Sequence, residues 1–275
     1  MIFSHFQTRP LVEKNAPSQM HISPDLGLSK VEIVKTSQGW QFPTNDVLSF
    51  SQIEEINQEA NSCFLYRNGQ LEKVQTYSSF TNRYYSLMPT EKAPTMLISG
   101  IPMHRIKDTT PDVDTHQKIR ALQKPYGVVL DTATGLGYTA IKAAQTAQMV
   151  ITIELDPAVI AICKLNPWSR QLFTNPKIHC LIGDSYTLVR VFKDRFFNAI
   201  IHDPPTLSLA GHLYSQTLYQ DFYRILKNNG RLFHYIGNPE SRYGASTGRG
   251  VVERLRKVGF TITPKGRAFG VLAQK

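Results

Sequence analysis

Cysteine is scarce: the 275 residues hold three, Cys63, Cys163 and Cys180. They are far apart and odd in number, which builds no disulfide framework and fits reduced thiols in a cytoplasmic compartment. The cysteines and histidines show no C-x2-C or H-x3-H spacing, so no metal site is expected. No apolar run approaches the roughly 18–20 residues of a membrane span. The N-terminus, MIFSHFQTRPLVEKNAPSQM, has no basic start ahead of an apolar core, so no secretory signal is read there. Internal repeats, low-complexity stretches and Lys-run or Arg/Gly-rich tails are also missing. With 41% hydrophobic and 19% charged residues, the chain reads as an ordinary globular protein able to bury a sizeable core.

The net charge is +10 and its placement is uneven. Residues 1–110 are neutral, with ten basic and ten acidic side chains, whereas residues 111–275 carry 21 basic against 11 acidic. Within the latter, residues 222–275 hold eleven Lys/Arg and two acids, Glu240 and Glu253. A basic region beside a site attracts a polyanion such as RNA; solvated helix faces explain the same residues equally well.

The first ~25 residues read as poorly ordered, being polar, with Pro10, Pro17 and Pro24 and little periodicity. Residues 31–35 and 40–42 read as a hairpin around 36–39, and residues 51–59 as a short helix capped near Ser49 or Ser51. Asn68-Gly69 between residues 63–67 and 71–75 suits a type I′ hairpin turn. A small α+β unit over residues 1–95 is expected, followed by a larger domain over 96–275. A helix is expected after Pro111, over residues 112–122. Strands and helices then alternate through residues 128–258, among them a helix over 213–227 stopped by Asn228-Asn229-Gly230, a strand over 230–236 and a helix over 248–258. Two strand-like runs, 259–263 and 268–273, are joined too closely for a crossover helix.

The most informative stretch is VVLDTATGLGYTA, residues 128–140. An apolar run ends in Asp131 and turns through Ala133, Gly135 and Gly137 into a helix-forming segment, letting backbone approach a nucleotide-like ligand closely. The G-x-G-x-x-G spacing of nicotinamide-binding enzymes is absent. Glu154 ends the next apolar run, where an acid accepts both hydroxyls of a ribose; Asp156, ahead of Pro157, is the competing residue and equally suits a helix cap. Gly183-Asp184 and His202-Asp203-Pro204-Pro205 close two further runs. In a parallel sheet such ends line one edge, where ligands bind.

Taken together, these residues resemble class I S-adenosylmethionine-dependent methyltransferases from about Val128 onward. Asp131 to Gly137 resembles that family's first motif, with Ala133 where many members have glycine. Glu154 matches the ribose-binding acid, Gly183-Asp184 the motif facing the adenine amino group, and His202-Asp203-Pro204-Pro205 the D/N-P-P-x active-site motif. Asn166-Pro167-Trp168-Ser169-Arg170, Ala210-Gly211-His212-Leu213-Tyr214-Ser215 and residues 98–105 are also similar to a group of uncharacterised methyltransferase-like proteins of archaea and bacteria. The resemblance implies an α/β, Rossmann-like methyltransferase fold: a mostly parallel sheet closed by an antiparallel C-terminal hairpin, with the small N-terminal α+β subdomain appended.

It also implies S-adenosyl-L-methionine as cofactor, held by Asp131, Ala133, Gly135, Gly137, Glu154 and Asp184. Asp203, Pro204 and His202 are the expected catalytic residues; the Asp203 side chain and Pro204 carbonyl would accept hydrogen bonds from a target amine. Thr206 stands where amino-methylating relatives place a base-stacking aromatic; Tyr214 is a candidate substitute. His104 and His234 are further candidate bases, since imidazole titrates near neutrality. The leading expectation is methyl transfer to a nitrogen of a nucleic acid or nucleotide-containing substrate. Two alternatives stand beside it: aminopropyl transfer to a small amine, as polyamine synthases perform on a similar fold, and a non-catalytic module binding RNA or protein. The sequence leaves the oligomeric state open.

Overall fold

The computed structural model describes residues 1–275, the side chain of Tyr243 excepted. The chain divides into two compact units, one of Met1–Asp112 with Ala158–Arg170, the other of Val113–Pro157 with Gln171–Lys275. The division falls later than the expected boundary at residue 95, and the first unit includes an internal segment.

The first unit holds three small antiparallel sheets and the helix Phe50–Gln58. Ser49 caps that helix through its side chain, and Gln52 answers back to the Ser49 backbone in a capping box. Phe64–Arg67 pairs with Gln70–Lys73 around Asn68 and Gly69, both at positive φ as a type I′ turn requires. The expectation of a poorly ordered N-terminus is corrected. Ile2–Phe3 pairs with Phe64–Arg67, and Gln19–Ile22 pairs with Val31–Lys35. Phe3, Leu11 and Ile22 are buried among Trp40, Leu48, Ile53, Ile56 and Phe64. These apolar residues are irregularly spaced, so no period announces them, yet burying each contributes about 1.5–3 kcal/mol.

The second unit is built on a seven-stranded sheet. Its strands are β1 (Val128–Asp131), β2 (Met149–Glu154), β3 (Ile178–Ile182), β4 (Phe197–His202), β5 (Leu226–Tyr235), β6 (Thr261–Lys265) and β7 (Gly270–Gln274), in the order β3-β2-β1-β4-β5-β7-β6. β1 to β5 run parallel, and β7 enters antiparallel between β5 and β6. This is the Rossmann-like methyltransferase fold, with the closing hairpin where the sequence implied it. The helices from Pro111 onward are α1 (Pro111–Ala121), α2 (Tyr138–Ala143), α3 (Pro157–Leu165), which groups with the first unit from Ala158, α4 (Gln171–Thr174), α5 (Ser185–Leu188), α6 (Gln216–Ile225) and α7 (Arg242–Val258).

Leu130, Ile200, Leu232 and Val271 of the sheet form one core with Leu218, Phe222 and Ile225 of α6 and Val251 and Leu255 of α7. The apolar residues of both helices recur at three- and four-residue steps, as a core-facing stripe demands. β5 starts at Leu226, not after Asn228-Asn229-Gly230, because Leu226 is fully buried and pairs with Phe197 ahead of an irregularity in the ladder. α7 begins at Arg242, after its cap Ser241 and well before residue 248. Its early glycines conceal it from propensity, but Gly244 is sterically needed: a Cβ there would lie 2.0 Å from the Asn238 carbonyl oxygen.

Among the described residues, no helix is long and apolar enough to cross a membrane.

Candidate active site at the carboxyl rim of the sheet

Parallel pairing brings the carboxyl ends of β1 to β4 side by side, so Asp131, Glu154, Asp184 and Asp203 follow neighbouring strands along one rim. Open α/β sheets bind ligands at such an edge, where the strand order reverses. β1 is that switch point here, flanked by β2 and β4.

Asp131 is fully buried; its Oδ2 accepts the Thr139 hydroxyl at 2.9 Å and the Thr152 hydroxyl at 3.2 Å. Burial pushes its carboxyl up to about 7, against the pull of those hydroxyls. Beyond it, Ala133 is half-buried, and Gly135 and Gly137 stand at positive φ, 51° and 77°. A Cβ on Gly137 would come within 3.0 Å of Leu172, so glycine serves both conformation and close packing there.

Glu154 is almost wholly buried beneath this turn. Its Oε2 accepts the Gly135 N–H at 2.9 Å and its Oε1 the Asp156 N–H at 3.0 Å. Burial pushes this carboxyl up to about 7 as well, the two N–H groups notwithstanding. Each oxygen retains acceptor capacity for a hydroxyl. Asp156 is buried in the same corner.

Asp184 caps α5 by accepting the Tyr186 N–H at 2.9 Å, and His212 Nε2 lies 3.6 Å from its Oδ1. The neighbouring Ser185 hydroxyl donates to the Thr132 carbonyl, tying the β3 end to the β1 turn. Thr132 also holds the β4 end, since its hydroxyl lies 2.6 Å from His202 Nδ1.

Asp203 follows β4 and is partly exposed, while Pro204 is buried. The Lys118 ammonium of α1 lies 2.5 Å from Asp203 Oδ2 and 2.8 Å from Asp114 Oδ2, and 4.6 Å from the ring centre of Tyr235 at the end of β5. Lys118 and Asp114 are both buried. Burial alone would lower the Lys118 pKa, but Asp203 and Asp114 hold it above the ordinary lysine range. Sequence reasoning missed Lys118, Asp114 and Tyr235; the Asp-x3-Lys spacing on a helix was the available signal.

His202 and His234 are not placed to act as bases. His202 is fully buried, with Nε2 2.9 Å from the Leu213 carbonyl and Nδ1 against Thr132. Burial lowers it to about 4, so the neutral ring donates from Nε2 and accepts at Nδ1. His234, 4.5 Å away ring to ring, bonds the Tyr219 hydroxyl at 2.8 Å and is also held well below its usual pKa by burial. His104 lies in the first unit, its Nδ1 3.0 Å from the Thr95 hydroxyl. Tyr214 is buried and donates to the Pro205 carbonyl at 3.0 Å. It braces the loop after Asp203 and offers no stacking face. Trp168, in the first unit, donates from its indole to the Leu26 carbonyl at 3.0 Å.

The rim is anionic within a basic unit. Asp114, Asp131, Glu154, Asp156, Asp184 and Asp203 are six of the eleven acids in residues 111–275, and Lys118 is the ammonium buried among them. A cationic ligand is attracted to such an edge and a polyanion repelled. Among the described residues, no group of three metal-ligating side chains occurs.

No family model matches the chain. The uncharacterized protein MJ1233 of Methanocaldococcus jannaschii is 44% identical over 249 residues, covering 90% of this chain and 84% of the relative. A polyamine aminopropyltransferase of Mycobacterium tuberculosis is 27% identical over 143 residues, half of this chain and 27% of the relative's length. Among solved structures, a spermidine synthase in complex with the transition-state analogue AdoDATO superposes with a TM-score of 0.58 at 20% identity, covering 77% of this chain and 79% of that one. These likenesses overturn the leading expectation of methyl transfer to a nucleic-acid nitrogen and favour the aminopropyl alternative. Binding of RNA is likewise without support.

Proposed function

The chain belongs to the family of MJ1233, and from that premise we propose that it is an aminopropyltransferase. In this reading it transfers a three-carbon amine from decarboxylated S-adenosylmethionine to the nitrogen of an amine acceptor. The observation that carries the reading is the acidic rim. Donor and acceptor are both cationic, and Asp184 and Asp203 give the strand ends the opposite sign, joined by Asp131 and Glu154 as these ionise around pH 7. The overturned reading needed an edge able to receive a polyanion. The polyamine aminopropyltransferase and spermidine synthase likenesses support the same choice.

Bound donor supplies an electrophilic carbon beside a sulfonium. This chain's residues would hold and orient it. Gly135 and Gly137, both at positive φ, shape the turn against which its adenosyl part lies, Glu154 accepts ribose hydroxyls, and Asp184 faces the adenine amino group. Asp131, pushed up to about 7 by burial, contributes negative charge from beneath once ionised. The acceptor arrives as an ammonium and gives one proton to Asp203 or to water, leaving a neutral amine whose lone pair Asp203 orients through a remaining N–H. As the nitrogen–carbon bond forms and the carbon–sulfur bond breaks, a neutral thioether leaves and the alkylated nitrogen takes up the positive charge. Holding nucleophile and electrophile in line supplies most of the acceleration for such a displacement.

The test uses two labelled donors. Decarboxylated S-adenosylmethionine with a labelled aminopropyl group is incubated with a panel of amines, and methyl-labelled S-adenosylmethionine is run in parallel. Label appearing in amine from the first and not the second is expected. Transfer from the second, or from neither, rejects the reaction.

A further inference from the structure

We propose that Lys118 is an internal ammonium occupying the inner half of the acceptor subsite, so that Asp203 is left to receive a single amine from outside. This rests on the aminopropyl reading of the rim. The argument begins with what surrounds the lysine. Two carboxylates, Asp203 at 2.5 Å and Asp114 at 2.8 Å, and the face of Tyr235 at 4.6 Å enclose its Nζ. Paired carboxylates with an aromatic face form the environment in which proteins hold an alkylammonium. Here the alkylammonium is covalently part of the chain.

The two carboxylates are not equivalent. Asp114 is fully buried beneath Lys118, whereas the Asp203 side chain keeps about a fifth of its surface open. Of this pair, an incoming amine therefore meets only the Asp203 carboxylate. A linear diamine, whose second ammonium needs a second anionic end, finds Asp114 already taken. Lys118 thereby acts as a specificity-determining residue: it admits acceptors with one amine at Asp203 and removes the advantage that a diamine would otherwise have. The same placement explains how a rim this acidic folds around a buried charge, since the lysine neutralises one of the two carboxylates at its centre.

Calorimetric titration of n-butylamine and 1,4-diaminobutane into the full-length protein, without donor, reads this subsite independently of turnover. Dissociation constants within threefold of each other are expected for the wild type. Lys118→Ala, checked for folding by circular dichroism, vacates the cage and is expected to bind both amines at least tenfold more tightly, with n-butanol as a neutral control showing no gain. A wild type that prefers the diamine more than tenfold, or binds neither amine, overturns the proposal; so does a folded variant that gains nothing. If the variant fails to fold, the wild-type comparison decides alone. Amine binding as expected with no aminopropyl transfer would reject the reaction and leave the subsite standing, so the two failures are distinguishable.

Discussion

The carboxylate of Glu154 reaches back to accept the backbone N–H of Gly135 at 2.9 Å, joining the end of β2 to the glycine turn after β1. One side chain thus fixes the turn's shape and presents its remaining lone pairs at the rim. Glu154→Gln keeps the size and removes the charge. Hydrogen bonds to charged groups contribute about 1.5–3 kcal/mol, so calorimetry should show decarboxylated S-adenosylmethionine binding about 10- to 100-fold more weakly. Asp156→Asn should change it less than threefold. The reverse ranking would remove Glu154 from the ribose role.

Buried groups at the rim set opposing slopes of stability with pH. Asp131 and Glu154 are pushed up to about 7 by burial. The stability they contribute is fully present below the unfolded carboxyl range near pH 4 and is lost as pH rises through about 7. His202, held down at about 4 by burial, contributes stability present above about pH 6.5 and lost as pH falls through about 4. Above about pH 6.5 only the carboxyl slope remains. Guanidinium unfolding midpoints should therefore fall between pH 6.5 and 8, and Asp131→Asn should flatten that fall. A midpoint that climbs over this interval contradicts the assignment.

His202 ties Thr132 to the Leu213 carbonyl as a neutral ring, which makes it a brace and leaves proton transfer to other groups. His202→Gln should lose about 1–3 kcal/mol of stability, the penalty of leaving a buried polar partner unsatisfied. The pH dependence of kcat in the surviving folded protein should keep its shape. Disappearance of an acid limb in that profile would make His202 a base after all.

Lys118→Met keeps the bulk of the side chain and strands a buried carboxylate. Breaking one partner of a buried pair costs about 3–5 kcal/mol, and chemical denaturation should register a loss of that order. Adding Asp114→Asn should recover a substantial part of it, because the uncompensated charge is gone. No recovery in the double variant would mean that Asp114 and Lys118 are not energetically coupled.

The parallel sheet and its rim were legible because each apolar run ends at an acid: Asp131, Glu154, Asp184 and Asp203 punctuate consecutive strands. The Asn68-Gly69 turn was legible for a similar local reason. Ile2 and Phe3 escaped notice because a two-residue strand carries no period. The start of α7 escaped because Gly244 and Gly248 argue against helix, while the close approach of the Asn238 carbonyl requires the first of them. Lys118 was hidden differently: α1 was expected, but the burial of its lysine between two acids is a tertiary fact. The reaction was misjudged for the same reason. Asp114 reaches the Lys118 ammonium from upstream of the strand-end motifs, where no pattern marks it.

Residues 158–170 join β2 to β3 yet group with the N-terminal unit. Neither unit is thus an unbroken stretch of polypeptide. A truncation at Asp112 would release a fragment lacking thirteen of its own residues and leave the remainder carrying an orphaned excursion. Any chimera that grafts this N-terminal unit onto a different sheet must transplant the β2–β3 crossover along with it.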